Sequence, residues 1–309
     1  MRVMVTGGAG FIGSCLVNEL LLNDIDVLVF DNFSTGKKEF LPIPHQGLKI
    51  VEGDIVDHPQ LLQAAQAWQP DVVVHLAALH YIPYCNKHCR ETIRVNVEGL
   101  QSVLEVCRAC NVARIVFASS AAVYAISDEA NQESNPPDPI DIYGLSKWFG
   151  ERLLWQFHQE TGVSCLAAPL FNVYGINETN PHVIPAILEQ VEQAKDIELG
   201  NVEACRDFIF VRDVALALLA LVNAESQPFG IFNVGSGREY SIRDVVAVCE
   251  GIVQRPLSIQ TVESRQRKQE RWHLWADISH IKETIGWQPQ YDLRTGLAET
   301  MSLDLVHEY

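Results

Sequence analysis

A tyrosine and a lysine four residues apart are the side chains of this sequence best suited to proton chemistry. Tyr143 and Lys147 stand at positions i and i+4, which places both on one face of a helix. A free tyrosine has a pKa of about 10 and is a poor base at neutral pH. A neighbouring ammonium and the positive end of a helix favour the phenolate, so we expect both to lower the pKa of Tyr143. The pair therefore predicts a general base.

Two serines end the apolar run that precedes this pair. Ser119 and Ser120 follow residues 115–118, whose continuous apolar character predicts a buried strand. Ligands of such sheets bind at the carboxyl ends of the strands. A serine hydroxyl there can hydrogen-bond a substrate oxygen and share in its proton transfer. We expect Ser120 to act with Tyr143 and Lys147, although one of the two serines could instead cap the turn.

The first 31 residues predict a dinucleotide site. One apolar run leads into Gly7, Gly8, Gly10 and Gly13, and a second ends in Asp31. Glycine permits the tight turn and a close approach of the backbone to a pyrophosphate, to which the following helix presents unpaired N–H groups. The carboxylate would accept hydrogen bonds from the adenosine ribose and repel a 2′-phosphate, so NAD is favoured over NADP. The predicted cofactor contacts from this segment are Gly7, Gly10, Phe11, Ile12, Gly13 and Asp31.

Alternating strands and helices must position these residues. Predicted strands cover 3–6, 27–30, 49–52, 72–75, 114–118, 164–168, 207–210 and 231–234, and predicted helices cover 11–22, 59–67, 92–110, 143–161, 181–193, 211–223, 241–250, 279–284 and 293–307. The repeating βα pattern predicts an α/β fold with a Rossmann-type, doubly wound parallel sheet. We expect an NAD-binding domain over 1–172, to which later segments return, and a smaller C-terminal α/β substrate lobe over 173–309.

Composition argues against several classes of function. The net charge of −16 opposes binding to nucleic acid and to anionic membranes. No window approaches ~18 uninterrupted apolar residues and no signal-like segment precedes the first strand, so we expect no membrane span and a cytoplasmic protein. The 8 cysteines are then expected to be reduced. His80, Cys85, His88 and Cys89 cluster in sequence, but without a second ligand pair we expect no metal site.

Further motifs give the chain a family resemblance. They are Gly53-Asp54, His75-Leu76-Ala77-Ala78, Asn96-Val97-Glu98-Gly99, Asn172-Val173-Tyr174-Gly175, Arg206-Asp207-Phe208, Asn233-Val234-Gly235 and Gly286-Trp287. With the glycine loop, Ser120, Tyr143 and Lys147, these motifs make the chain resemble the extended short-chain dehydrogenases/reductases of the NAD-dependent nucleotide-sugar epimerase/dehydratase family, and within it the UDP-glucose 4-epimerases. The resemblance covers nearly the whole sequence.

The resemblance implies a role for each matching residue. Tyr143 would be the base, Lys147 would hold it and the nicotinamide ribose, and Ser120 would bind the reacting sugar hydroxyl. Further contacts to NAD would come from Asn32, Asp54, Ile55, Ala77, Ala78, Asn96 and Lys147. Contacts to the substrate, expected to be a UDP-sugar, would come from Ser119, Ser120, Tyr143, Asn172, Arg206 and Arg267. His80, in a loop that departs from the family pattern, is a further expected substrate contact, as a pocket hydrogen bond or as an extra acid/base group. A homodimer formed through the helices near 92–110 and 143–161 is also implied.

The position after the active-site serine separates two reactions of the family. Family dehydratases commonly carry an acidic pair there, whereas Ala121 and Ala122 cannot transfer protons. The resemblance therefore favours a 4-epimerase, which oxidises the sugar at C4, turns the 4-keto sugar over and returns the hydride. A dehydratase or another C4 oxidoreductase stays open because loop 79–89 departs from the family pattern, as does a non-catalytic NAD-binding regulatory protein. Leu274 falls where some epimerases carry a bulky tyrosine, which suggests room for an N-acetyl sugar.

Overall fold

A computed structural model describes residues 1–193, 196–225, 227–262 and 271–304. The strands are β1 (Arg2–Thr6), β2 (Asp26–Asp31), β3 (Leu48–Glu52), β4 (Val72–His75), β5 (Arg114–Ser120), β6 (Ser164–Leu170), β7 (Asn172–Tyr174), β8 (Ile197–Leu199), β9 (Cys205–Arg206), β10 (Phe208–Phe210), β11 (Phe229–Ile231), β12 (Tyr240–Ser241) and β13 (Ile259–Thr261). The α-helices are α1 (Phe11–Leu22), α2 (His58–Trp68), α3 (Ile82–Lys87), α4 (Cys89–Ile93), α5 (Gly99–Ala109), α6 (Ile142–Thr161), α7 (Val183–Glu192), α8 (Val211–Asn223), α9 (Ile242–Val253), α10 (Ser279–Ile285) and α11 (Leu293–Asp304).

A parallel sheet lies at the centre of the molecule. Its strand order is β11-β6-β5-β4-β1-β2-β3, and every neighbouring pair runs parallel. The chain passes from β1 to β2 on one side and returns to β4 on the other. Such a reversal of strand order is where open α/β sheets bind ligands, outside the carboxyl ends of the strands. The predicted Rossmann-type, doubly wound sheet is confirmed.

Helices cover both faces of this sheet, so its strands are apolar on both sides. Along β1, Val3 and Val5 pack into the core beneath α1 and α8, whereas Met4 packs into the core beneath α2, α5 and α6. This alternation follows from the two-residue period of a strand. It explains why the strand sequences are continuous apolar runs.

Short strand pairs and three helices form the smaller part of the molecule. β7 pairs with β10, β9 with β12 and β8 with β13. Ile184 of α7, Val245 of α9 and Leu297 of α11 contribute to a third core. Two later elements return to the sheet, since β11 pairs with β6 and α8 packs on the α1 side. The division into domains at residue 172 stays a prediction.

The structure reproduces the bounds of some predicted elements and departs from those of others. α1 and α8 have the predicted bounds. The helix predicted over 92–110 is instead α4, a π-helix over Arg94–Glu98, and α5. α3 and β7 were not predicted, because a six-residue helix and a three-residue strand carry too few residues to show a period. The strand predicted at 231–234 lies at Phe229–Ile231, and Val234 makes only an isolated bridge to Leu170.

Candidate active site

The first turn of α6 brings Tyr143 to Ser120. The N-cap of α6 is Asp141, whose carboxylate accepts the amide hydrogen of Gly144 at 2.8 Å. A Cβ atom on Gly144 would lie 2.4 Å from the carbonyl oxygen of Ala122. Only glycine therefore allows the helix to touch the segment that follows β5. This contact holds the side chains of Tyr143 and Ser120 within hydrogen-bonding distance.

Lys147 lies one turn further along α6 and is buried. Its Nζ donates to the carbonyl oxygen of Ala118 at 2.7 Å. The ammonium lies 4.9 Å from the ring centroid of Phe117 and 5.8 Å from that of Tyr143. The three candidate catalytic residues are thus brought together at the carboxyl end of β5, as the sequence predicts.

Burial controls the protonation of this pair. Burial raises the pKa of Tyr143 above its usual value, and the hydrogen bond from Ser120 only partly opposes this change. Burial also lowers the pKa of Lys147 to about 8, against the opposing charges of Cys85 and Glu151. Lys147 and the start of α6 therefore do not lower the pKa of Tyr143 by themselves, and the rest of the expected lowering has to come from the positive nicotinamide ring expected beside them. The ammonium of Lys147, 5.8 Å from the ring centroid of Tyr143, does not outweigh the loss of water around the phenol.

Ser119 faces a different partner from Ser120. It is buried, and its hydroxyl donates to the carboxylate of Glu151. Glu151 lies on α6 four residues after Lys147, and burial raises the pKa of this carboxyl to about 7, although Ser119 and Lys147 both lower it. The structure therefore brings Ser119 to a buried acid behind the catalytic group. Ser120, by contrast, accepts the amide hydrogen of Ala122 at 3.2 Å and also caps its turn.

Asn96 joins three parts of the site. It is buried in the π-helix, and π-helical turns are frequent at functional sites. Its Oδ1 accepts the amide hydrogen of Leu79 at 2.8 Å, and its Nδ2 donates to the carbonyl of Leu79 at 2.9 Å and to the hydroxyl of Ser146 at 3.0 Å. Ser146 in turn donates to the carbonyl oxygen of Tyr143 at 2.7 Å. Asn96 thus ties the loop after β4 to the helix of the catalytic group.

The glycine loop presents main-chain groups and no side chains. Gly7 has a φ of +72°, and a Cβ atom on it would lie 2.7 Å from the amide nitrogen of Ala77. A Cβ atom on Gly13 would lie 2.2 Å from the carbonyl oxygen of Gly7. The N-cap of α1 is Gly10, which offers no side chain to cap the helix. The amides of Phe11, Ile12 and Gly13 at the helix start can therefore bind an anion.

The acidic end of β2 lies beside this loop. Asp31 is buried, and its carboxylate accepts the amide hydrogens of Ala9 at 2.9 Å and Phe33 at 2.8 Å. Burial raises the pKa of Asp31, and these two hydrogen bonds oppose the rise. Next to it, Asn32 donates to the carboxylate of Asp54 at 3.2 Å.

Other predicted cofactor residues line the same edge of the sheet. Ile55 is buried after β3. Ala77 follows β4, and its amide donates to the carbonyl oxygen of Thr6 at 3.0 Å. Ala78 comes next, and its backbone is hydrogen-bonded to the ring of His80. These positions place the ends of β1 to β4 around one cleft.

The unusual loop 79–89 is held by a second loop. The side-chain amide of Asn180 donates to Nε2 of His80 at 2.9 Å. The rings of His80 and His182 lie 5.9 Å apart, and Nδ1 of His182 contacts Glu178. Burial lowers the pKa of His80 to about 4, and His182 and Lys147 add to this effect. His80 is therefore a neutral acceptor between the loop after β4 and the loop before α7.

The predicted diphosphate residues lie around β7, β9 and β10. Asn172 begins β7, and its amide donates to the carbonyl of Asp207 at 3.0 Å. Arg206 is buried and donates to the carbonyls of Cys205 and Arg271, each at 2.7 Å. Arg267 lies outside the described residues.

Comparison with known protein families assigns the chain to one of them. The model of the "NAD dependent epimerase/dehydratase family" matches residues 3–235. The chain belongs to this family. Its cofactor is accordingly NAD. Within the described residues, no helix is long and apolar enough to cross a membrane.

Relatives in this family carry out more than one reaction. The chain is 31% identical over 313 residues to UDP-glucose 4-epimerase of Corynebacterium glutamicum, covering 96% of this chain and 93% of the relative. It is 29% identical over 314 residues to UDP-glucuronic acid decarboxylase 6 of Arabidopsis thaliana, covering 96% and 87%. Among solved structures, UDP-glucose 4-epimerase of Thermus thermophilus, in complex with NAD, superposes with a TM-score of 0.89 at 30% identity, covering 98% of each chain.

The residues of this epimerase/dehydratase chain fit NAD. A Cβ atom on Gly7 or Gly13 would overlap the backbone of Ala77 or of Gly7, so only glycine allows this tight loop, and Gly10 leaves the first amides of α1 uncapped by a side chain. Asp31 lies at the end of β2, at the position from which a carboxylate reaches a ribose. The glycine loop, the start of α1 and the carboxylate of Asp31 therefore supply the groups that bind a dinucleotide.

Sequence reasoning missed three buried side chains near the site. Glu151 continues the spacing of Tyr143 and Lys147 by four residues, and this spacing could have revealed it. Asp207 accepts amide hydrogens of Ser236, Gly237 and Ala276 and the hydroxyl of Ser236. Arg271 donates to the carbonyl of Tyr124 at 2.9 Å. No local pattern distinguishes Arg271 from its charged neighbours.

Proposed function

We propose that this protein is an NAD-dependent nucleotide-sugar 4-epimerase. The observation that carries the proposal is the hydrogen-bonded pair of Tyr143 and Ser120 beside the buried Lys147. Ala121 and Ala122 follow directly, so the turn after Ser120 offers no second proton-transfer group. One phenol and one hydroxyl can move a proton on and off a single sugar oxygen, which epimerisation at C4 requires.

The chain's own residues carry the proton. Ser120 holds the C4 hydroxyl, and Tyr143 accepts its proton and later returns it to the same oxygen. Lys147 holds Tyr143 and the nicotinamide ribose in place. NAD, when bound, would supply the hydride chemistry, as acceptor of the C4 hydride and as its donor to the opposite face of the sugar. Because proton and hydride both return, no external reductant is consumed.

We assign the remaining contacts from the family resemblance. NAD contacts come from the glycine loop, Asp31 and the residues at the strand ends, which are Gly7, Gly10, Phe11, Ile12, Gly13, Asp31, Asn32, Asp54, Ile55, Ala77, Ala78, Asn96 and Lys147. Asn172, Arg206 and Arg267 bind the diphosphate, since a guanidinium matches phosphate oxygens. His80 borders the sugar. The nucleotide is uridine, as in the named epimerase relatives.

Product analysis tests this function. The purified protein is incubated with UDP-, dTDP- and GDP-sugars, and products are resolved by mass spectrometry and NMR. We expect a UDP-hexose to give its 4-epimer with unchanged mass. A mass loss equal to one water molecule would show dehydration and would overturn the 4-epimerase proposal. Turnover of UDP-glucose without turnover of UDP-N-acetylglucosamine would refute the roomier pocket inferred from Leu274.

Tyr143→Phe separates catalysis from binding. Removal of a positioned acid–base group costs about 10²–10⁴-fold in rate. We expect turnover to fall by about that factor, while NAD affinity stays within about twofold. Unchanged turnover in this variant would contradict the assignment of the base. Loss of turnover together with NAD binding would indicate a damaged fold, so urea unfolding of the same variant serves as the control.

A dehydratase is the second candidate, favoured by one observation. His80 is a neutral imidazole at physiological pH, and a neutral imidazole can act as a base. It lies close enough to Lys147 to be affected by its charge. The product assay decides between the two reactions, because only dehydration changes the mass. A non-catalytic NAD-binding protein would show no turnover on any sugar of the panel.

We further propose a homodimer formed by α4, α5 and α6. Leu145 and Phe149 are one turn apart on α6 and are 41% and 49% exposed, and Ile93 on α4 is 39% exposed. Apolar side chains at this spacing form a stripe that a second copy would cover. Light scattering should give twice the chain mass for the wild type and a lower mass for Phe149→Lys. A cytoplasmic location is proposed as well, since all 8 cysteines are free thiols.

A further inference from the structure

A thiol, an imidazole and a carboxylate converge on one side of the substrate lobe. They belong to Cys205, Glu239 and His273, whose ligand atoms all lie within 4.8 Å of one another. Among the described residues this is the one such group able to hold a metal ion. All three side chains are partly buried. None of them has a role in the proposed epimerase reaction.

Three neighbouring segments place these side chains. β9 carries Cys205 and pairs with β12, where Ser241 lies opposite Cys205. On the other side, the amide of Cys205 donates to the carbonyl of Trp272 at 2.8 Å, so the chain on either side of His273 runs along β9. Glu239 immediately precedes β12. The ligands therefore come from adjacent, hydrogen-bonded strands and need no loop to close over them.

The distances between these ligand atoms are close to those of a zinc site. Nδ1 of His273 lies 2.9 Å and 3.1 Å from the two carboxylate oxygens of Glu239. Ligand atoms on neighbouring corners of a tetrahedral Zn²⁺ site lie about 3.3–3.8 Å apart, given metal–ligand distances of about 2.0–2.3 Å. The imidazole and carboxylate need to part only slightly, and the thiol, within 4.8 Å of both, needs to approach by at most about 1 Å.

We propose that Cys205, Glu239 and His273 form a zinc-binding site. Sulfur, nitrogen and oxygen ligands are the set that zinc takes in proteins, and the partly exposed position leaves the fourth corner to water. Thiolate and carboxylate together neutralise the charge of the ion. Coordination releases the thiol proton to solvent, and Nδ1 of His273 binds the ion in the neutral tautomer that carries its proton on Nε2.

The ion would link two segments that carry proposed substrate-site residues, the one with Leu274 and the one with Arg206. His273 lies beside Leu274, which is buried against Ala121, Val123 and Tyr124 of the turn after Ser120. Cys205 immediately precedes Arg206. Zinc therefore fixes the segment that carries Leu274 on the strand that carries the proposed diphosphate arginine. The site itself is independent of which sugar is turned over.

Zinc titration of the full chain tests the site. Protein freed of metal by a chelator is titrated with ZnCl₂ against a chromophoric zinc indicator. We expect one equivalent to bind in the wild type, with at least tenfold weaker binding in Cys205→Ser, Glu239→Gln and His273→Gln. Cys89→Ser is the matched control, because Cys89 is an exposed free thiol on α4. Equal affinity in the wild type and Cys205→Ser would overturn the proposal.

Two further measurements remain informative if one variant folds poorly. X-ray absorption of the zinc-loaded wild type should show one sulfur at about 2.3 Å. A spectrum with only nitrogen and oxygen ligands would overturn the site. Zinc should also raise the melting temperature of the wild type and of Cys89→Ser, and leave that of Glu239→Gln unchanged. An equal rise in all three would show binding elsewhere and would overturn the assignment.

Discussion

The cofactor side and the sugar side of the active site use different parts of their residues. On the cofactor side, the main chain forms the surface: glycines, the uncapped start of α1 and one carboxylate at the end of β2. On the sugar side, buried polar side chains hold the segments together. Asn96, which is also a proposed NAD contact, ties loop 79–89 to α6, Glu151 holds Ser119, and Asp207 holds the loop at Ser236.

The difference follows from what each side must bind. A pyrophosphate is recognised by N–H groups and by close approach, so residues without side chains suit it. A sugar must be oriented at one carbon, so the groups around it have to be fixed by second partners. The cofactor side should therefore be sensitive to added atoms, and the sugar side to removed hydrogen bonds.

Gly7→Ala gives the largest expected effect and tests the cofactor side. The φ of +72° strains any side chain, and the new Cβ would lie 2.7 Å from the amide nitrogen of Ala77. Strain and overlap together predict a loss of about 3–5 kcal/mol in the free energy of unfolding. We also expect NAD affinity to fall at least tenfold. Urea unfolding and NAD titration measure both.

Gly162→Ala is the matched control for this substitution. Gly162 has nearly the same φ, +73°, but a Cβ atom there meets nothing within 4 Å. Its expected cost is only the strain, about 1 kcal/mol. Equal destabilisation by the two variants would contradict the idea that close packing of the main chain distinguishes the cofactor side.

Glu151→Gln tests the sugar side through pH. The pKa of Glu151 is raised from 4.5 to about 7 by burial, so the folded protein binds this proton more tightly than the unfolded chain. The stability it contributes is full below about pH 4.5 and is lost as pH rises through about 7. Glutamine keeps a polar partner for Ser119 without titrating.

The expected signal is a pH-dependent difference between this variant and the wild type. From pH 5 to pH 8, Glu151→Gln should gain stability relative to the wild type by up to about 3 kcal/mol. Urea unfolding at several pH values measures the change. As a control, Glu98→Gln alters an exposed carboxylate at the start of α5 and should show no such trend. A stability difference between Glu151→Gln and the wild type that does not change with pH would contradict the raised pKa of this buried carboxyl.

The same division decides what could be predicted from the sequence. Gly7, Gly10, Gly13 and Asp31 are informative on their own, because their types and spacing fit one backbone geometry. The bounds of α1 follow from the same local pattern. The sugar side depends on partners far apart in the chain, such as Asn96 with Ser146 and Ser119 with Glu151. The four-residue spacing could place Glu151 on the face of Tyr143 and Lys147, but no local period encodes its pairing with Ser119 or the π-helix around Asn96, so both were missed.

The pKa of Tyr143 shows the same limit. The sequence predicts that Tyr143 and Lys147 share one face of a helix, and both lie on one face of α6. The sequence could not show how much water the folded chain removes from Tyr143 or where the ammonium points. In the structure Lys147 is hydrogen-bonded to Ala118, and burial dominates the pKa of the phenol.

His80→Ala gives the smallest expected effect and tests the junction of the two loops. The variant loses the hydrogen bond from Asn180, worth about 1 kcal/mol. We expect KM for the nucleotide sugar to rise about fivefold, with NAD affinity unchanged within about twofold. Steady-state kinetics and NAD titration measure the two quantities.

The pH dependence of stability and a second variant sharpen this last test. The pKa of His80 is lowered from 6.5 to about 4 by burial, so its contribution to stability is present above pH 6.5 and is lost as pH falls through about 4. This trend runs opposite to that of Glu151, and it should disappear in His80→Ala. Asn180→Ala removes the same hydrogen bond but keeps the imidazole, so it should raise KM equally. A much larger loss of kcat in His80→Ala than in Asn180→Ala would show that the imidazole acts on the substrate itself. His80 would then be a catalytic residue and not a positioning residue.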